Sequence, residues 1–161
     1  MTSGTYQHPL TTPSTAADLP FRTGAAGVVG ITGESLLRRG AAAVGLLGIA
    51  LIHLLDVPGK FGETPYLGVA YLGLIVTALF CAELLLRRDH RLVWAATGAL
   101  AASTLIGYTL SRTTGLPGAM GDVGNWLEPL GLASLFVEGV VLLLAASALA
   151  RSGARRDRLA G

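Results

Sequence analysis

Charge is scarce in this sequence. Of its 161 residues only 14% are Asp, Glu, Lys or Arg, while 52% are apolar, against about a quarter charged in an ordinary soluble domain. So little charge cannot clothe a water-facing surface. A soluble enzyme of this length is excluded, and about half the chain must lie in lipid if its apolar runs are membrane spans. Cysteine is almost missing as well. Cys81 stands alone, which rules out an internal disulfide and a cysteine-based metal cluster. No basic face interleaved with aromatics occurs, so the net charge of +2 does not point to nucleic acid.

Residues 1–38 are rich in Thr, Ser, Gly, Ala and Pro and have too little apolar bulk to offset the entropy of ordering them. They carry no basic start followed by an apolar stretch and a small-residue cleavage site, so a cleaved signal peptide is not expected. The composition predicts a flexible cytoplasmic tail, in which 31–37 could add a turn of helix before the first span.

What remains is helical and apolar. About 20 residues at roughly 1.5 Å each cross the hydrocarbon core, and four runs approach that length: 40–57, 66–86, 92–111 and 130–150. The expected fold is an all-α membrane protein, a four-transmembrane-helix bundle over 39–151, with a basic tail at 152–161. The first run is the shortest in strictly apolar residues because His53 and Asp56 interrupt its end. Arginine placement argues that it spans. With four crossings, Arg22, Arg38, Arg39, Arg87, Arg88, Arg91, Arg151, Arg155, Arg156 and Arg158 share one side, ten of the twelve basic residues, and only Lys60 and Arg112 face the other. Short-loop arginines mark the cytoplasmic side. Both termini are therefore expected in the cytoplasm, the protein in the plasma membrane, and the loops 58–65 and 112–129 outside.

Small residues at Ala99, Ser103 and Gly107 recur every fourth position of the third helix and predict close helix packing. Thr97, Thr104, Tyr108 and Ser111 form a polar stripe on one face of that helix, expected to look into protein.

An ionisable side chain at the centre of a span costs roughly 2.5 to 3.5 kcal/mol on insertion scales, so each needs a reason. Glu83 precedes Arg87 by four residues near the cytoplasmic end of its helix, the favourable order for an interfacial ion pair. Glu138 lies roughly 12 Å into the last helix, far from any charge in sequence, on a face shared with Gly131 and Ser134. It serves either as a protonated packing acid or as a functional group. His53 and Asp56 are about 60° apart around one helix and can meet. A carboxylate holding an imidazole also orients metal ligands and proton carriers, although a lone histidine in an apolar helix is commonly a packing residue. Haem held by two histidines is not expected, since His8 and His90 lie outside the spans; Met120 is the one thioether on the correct side.

The loop between the third and fourth helices reads SRTTGLPGAMGDVGNWLEPLG from Ser111 to Gly131. Gly115, Pro117, Gly118, Gly121 and Gly124 mark turns, Trp126 suits an interfacial anchor, and Pro129 suits the first turn of a helix. Arg112 stands where positive charge is rare, which makes it the natural partner of Asp56, Glu128 or Glu138. It either staples the loop over the helix ends or binds an anionic or polar ligand.

The combination of His53, then Ser111, Arg112, Thr113, Gly115 and Pro117, then Trp126, Glu128, Pro129, Gly131 and Glu138 resembles an uncharacterised family of small four-helix bacterial integral membrane proteins, mainly actinobacterial. The resemblance covers about the last three quarters of the chain. It implies the four-span topology and this set of residues, and it lends no reaction, substrate or cofactor.

The sequence thus predicts a non-enzymatic polytopic membrane protein whose outer polar cluster, His53, Asp56, Arg112, Glu128 and Glu138, binds a ligand or organises a partner interface. One alternative is a membrane-embedded metal-dependent enzyme or redox protein with His53, Asp56 and Glu138 as metal candidates. Another is a small oligomeric proton-coupled transporter that uses Glu138 as carrier. The partners expected are the lipid bilayer and, beyond it, a second copy or another membrane protein.

Overall fold

The computed structural model of the chain describes Met1 and residues 23–160, with side chains described from 33 to 154. The expected tail up to Arg22, including His8, lies outside the described residues, as do the side chains of Arg155, Arg156 and Arg158. Four helices make up the structure: α1 (Thr23–Glu63), α2 (Pro65–Arg87), α3 (Arg91–Thr113) and α4 (Pro129–Ala160). Each packs on its two neighbours in a closed ring, α1 on α2, α2 on α3, α3 on α4 and α4 on α1. Among the described residues there is no strand.

All four helices contain stretches long and apolar enough to cross a bilayer: Gly33–Glu63, Pro65–Arg87, Arg91–Thr113 and Pro129–Ala154. The bundle is apolar outside as well as inside. Val44, Val69, Val76, Phe80, Phe136 and Leu143 are each more than 60% exposed. A soluble protein would hide most of that surface, whereas lipid solvates it. These features are those of a multi-pass integral membrane protein.

Two helices are longer than the sequence reading made them. α1 was expected to start at 40 and stop at 57, but it begins at Thr23 and runs through Pro58 to Glu63. Proline removes one backbone donor and crowds the preceding turn. The turn beyond it is held from outside: Lys60 bonds to Asp122, Thr64 N–H closes on the Lys60 carbonyl at 2.8 Å, and Phe61 lies on Gly68, where a Cβ would come within 2.6 Å of its ring. α2 then starts at Pro65, where a missing N–H costs nothing. α4 continues to Ala160 and takes the expected C-terminal tail into its last turns.

The small-residue repeat on α3 does not make the close contacts expected of it. Ala99 and Ser103 are exposed and a Cβ at Gly107 would meet nothing within 4 Å. Backbones approach closely elsewhere, at Gly48 of α1 against Val137 and at Gly98 against Ala145, both pairing with α4. The period was correct but the phase was wrong. Gly98, next to Ala99, points inward together with the buried Thr97 and Ala101.

At the arginine-rich end of the bundle, Arg39 donates to the last carbonyls of α2, to Leu85 O and Leu86 O at 2.5 Å each, satisfying acceptors that a helix terminus leaves open. Arg38 lies over the Trp94 ring at 5.6 Å, and Arg151 pairs with Glu34 at 2.5 Å. Glu83 pairs with Arg87 one turn on, as expected, with both side chains exposed.

Candidate functional site

The opposite end of the bundle encloses a cavity of about 430 Å³ lined by residues from all four helices and the α3–α4 loop. His53, Asp56, Arg112, Glu128 and Glu138, from three separate stretches of sequence, all line it. The structure therefore brings the five sequence-selected residues to one place.

The α3–α4 loop forms the outer wall and is tied down at several points. Gly115, Gly118 and Gly124 take positive φ values of 77°, 74° and 81°. At Gly115 the need for glycine is steric too, because a Cβ would lie 2.5 Å from the Met120 sulfur. Gly121, expected to be another such turn, instead lies within a short 3-10 turn, Met120–Asp122. Met120 packs over Gly115 and is 62% exposed, outside the cavity lining. Tyr66 O–H donates to Pro117 O at 2.8 Å and Thr64 O–H to Gly118 O at 3.2 Å, so the loop lies across the α1–α2 corner.

Arg112 is the centre of this wall. Its side chain is only 5% exposed and reaches Asp122 at 2.8 Å and Glu128 at 2.6 Å. Of the three partners expected from sequence, Glu128 is taken and Asp56 and Glu138 are not. The second partner, Asp122, was missed. Lys60 reaches that same carboxylate from α1 at 3.2 Å, so the two Lys and Arg side chains at this end of the bundle, among the described residues, converge on one acid. That convergence was the signal the sequence offered, since two rare cations on one side need counter-charges and Asp122 lies on the same side. Burial alone would push the Asp122 carboxyl up, but the hydrogen bonds and positive charge of Lys60 and Arg112 outweigh it and hold it below the usual carboxylate range.

Tyr108 supports the arginine. Its ring lies 4.8 Å below the guanidinium carbon, its hydroxyl donates to Trp126 O at 3.2 Å, and Gly131 leaves room for it, since a Cβ there would approach Tyr108 Cε2 to 2.6 Å. The spacing of Tyr108, Arg112 and Gly131 was visible in the sequence, but not the stacking.

Deeper in, His53 and Glu138 face each other across the α1–α4 interface. His53 Nδ1–H donates to the Ile49 carbonyl at 2.9 Å, which leaves Nε2 pointing at Glu138 Oε1 from 3.9 Å. The expected His53–Asp56 hydrogen bond is not formed, because the carbonyl one turn back already holds the ring. Tyr71 of α2 packs edge-on against that ring with centroids 4.8 Å apart. Glu138 is 1% exposed. Ser134 O–H donates to its Oε1 at 2.7 Å, and its Oε2 has no hydrogen-bond partner. Asp56, about one turn beyond His53 on α1, also lines the cavity. Among the described residues, no three His, Cys, Asp or Glu side chains are grouped so as to hold a metal ion. Asp56 thus does not join His53 and Glu138 as a third ligand.

The polar stripe of α3 faces inward, as expected. Thr97 is fully buried, and Thr104, Tyr108 and Ser111 line the cavity. No family model matches the chain, nor does any curated protein or solved structure, so the likeness to small bacterial four-helix proteins rests on the loop motif and the intramembrane residues alone.

Proposed function

We propose that this chain is a non-enzymatic protein of the plasma membrane, with both termini in the cytoplasm, that binds a small ligand in the outer half of its helix bundle. The observation that carries this reading is the cavity of about 430 Å³ lined by a buried acid, Glu138, one of whose carboxylate oxygens has no partner. A packing acid with no other role would have both oxygens satisfied. A volume in this range suits a small organic molecule.

The test is a thermal-shift screen of the purified full chain in nanodiscs against small cations, anions and neutral molecules. Wild type is run beside Gly107→Leu, which adds bulk at a cavity-lining position where a Cβ meets no atom within 4 Å. Ligands that stabilise wild type saturably and leave the variant unmoved support the reading. A screen in which nothing separates the two proteins removes it.

A second reading is favoured by the His53–Glu138 distance of 3.9 Å. Two groups so placed can exchange a proton through one bridging water, as a proton-coupled transporter would require. Four helices are few for a transport path, so this version needs a homo-oligomer. Proton-coupled uptake that persists unchanged in Glu138→Gln would eliminate it.

A further inference from the structure

We propose that the ligand of this cavity is an organic cation, a quaternary or protonated amine on an apolar body, held between Asp56 and Glu138. The proposal rests on the ligand-binding reading above and narrows it to one class of molecule.

The argument begins with which charges are already matched. Arg112 places its two terminal nitrogens on separate carboxylates, Asp122 and Glu128, at 2.8 and 2.6 Å, and Lys60 is fixed to Asp122 at 3.2 Å. Both cations are thus already engaged by carboxylates, and the donor left over on Arg112, Nε, is itself buried. Four carboxylates line the cavity, Asp56, Asp122, Glu128 and Glu138, against those two fixed cations. Two negative charges are left over when all four are ionised. The unmatched groups can be named individually. Asp56 takes no hydrogen bond and no close ion pair among the described residues, feeling Lys60 and His53 only at longer range, and Glu138, 1% exposed, has its Oε2 unpartnered. A buried oxygen without a donor is a rare arrangement in a folded protein; a protonated amine would remove the deficit by donating an N–H, and a quaternary ammonium would offset it by charge alone.

The rest of the lining selects the body of the ligand. Leu67, Leu74, Leu100 and Leu130 supply apolar wall from α2, α3 and α4. Tyr71 lines the same space and offers an aromatic surface of the kind that favours ammonium groups, while the Tyr108 face is already covered by Arg112. A bare metal ion is a poor occupant, because no three ligating side chains come together among the described residues. The cavity also reaches the outer surface of the bundle along the α2–α3 seam, where Ala70, Thr77 and Ser103 line it and are themselves exposed. An amphipathic molecule could enter there from the bilayer.

The experiment is equilibrium binding of radiolabelled benzyltrimethylammonium to the full chain in nanodiscs, with unlabelled benzyl alcohol and benzenesulfonate as neutral and anionic competitors. The expected result is saturable binding that neither competitor displaces, weakened at least tenfold by Asp56→Asn and by Glu138→Gln, and lost in Gly107→Leu. Asp56 makes no hydrogen bond among the described residues, so Asp56→Asn tests the charge in a protein expected to retain its structure. Binding that both acid substitutions leave intact overturns the proposal. If benzyl alcohol or benzenesulfonate binds instead, and Gly107→Leu abolishes that binding, the cation inference fails and the ligand-binding reading stands. If none of the three probes binds saturably, the cation inference fails, and the broader screen above decides the other.

Discussion

His53 Nε2 stands 3.9 Å from Glu138 Oε1, too far for a direct hydrogen bond and close enough for one intervening atom to bridge them. Both residues are buried, at 8% and 1% exposure, so whatever completes this pair comes from within the cavity. The two partners the pair already has, the Ile49 carbonyl and the Ser134 hydroxyl, fix each side chain on its own helix. The gap itself is left open by the packing of α1 on α4.

Removing the Ser134 donor should therefore destabilise modestly. Ser134→Ala is expected to cost about 1 to 2 kcal/mol, the usual loss of a buried hydrogen bond to a group that is left unsatisfied. Glu138→Gln retains the Ser134 contact and should cost less. Reversible unfolding in mixed micelles gives both numbers, and a larger loss for Gln than for Ala would mean that the Glu138 charge, not its hydrogen bond, holds the helices.

Arg112 has a larger structural role. Arg112→Met leaves Asp122 and Glu128 without their shared cation and should destabilise the loop end of the bundle by roughly 2 to 4 kcal/mol. Arg112→Lys should recover only part, because a single ammonium cannot span two carboxylates as a planar guanidinium does. Hydrogen exchange of residues 113–128 reads this directly. Unchanged protection in Arg112→Met would show that the backbone contacts of Thr64 and Tyr66 hold the loop unaided.

Acid should release the same loop. The Asp122 carboxyl is depressed in the folded protein by Lys60 and Arg112, so it binds protons less readily there than in the unfolded chain. Its contribution is complete above the ordinary aspartate range, near pH 4, and is lost as pH falls through the lower folded value. The difference in melting temperature between wild type and Asp122→Asn should be constant from pH 7 to about pH 5 and shrink below that. A difference that grows on acidification would contradict the pairing.

Gly131 keeps Tyr108 beneath the guanidinium. Gly131→Ala forces a Cβ to within 2.6 Å of the Tyr108 ring and 3.2 Å of Glu128 Oε2, and overpacking of this kind costs typically 1 to 3 kcal/mol. Because Tyr108 holds the Trp126 carbonyl and packs against its ring at 6.1 Å, the Trp126 emission should shift to the red. Trp94→Phe provides the background in which Trp126 is the sole tryptophan.

The membrane orientation is testable with one label. In a Cys81→Ala background, Gly121→Cys should react with an impermeant maleimide in intact cells, and Asp89→Cys only after permeabilisation. The reverse pattern would place the arginine-rich end outside and invert the proposed topology.

Hydropathy and residue spacing determined much of this protein by themselves. Four runs long enough to cross a bilayer appear as four helices, because in lipid the backbone must satisfy its own hydrogen bonds and a helix does so within one segment. The rarity of ionisable groups in those runs picked out His53, Asp56 and Glu138, each expensive where it stands, and the scarcity of positive charge beside the loop picked out Arg112, with Glu128 as a candidate partner. Composition also accounts for the apolar exterior. Tertiary structure decided what depends on which helix faces which. The choice of Asp122 as the acid shared by Lys60 and Arg112, 62 residues from the lysine, follows from the fold of a glycine-rich loop that periodicity does not describe. The continuation of α1 through Pro58 depended on contacts from α2 and the loop, which outweigh a local breaker. The phase of the small residues on α3, and the open gap between His53 and Glu138, are set by packing distances of a few ångströms between helices, and a linear pattern of polar and apolar residues contains no such distance.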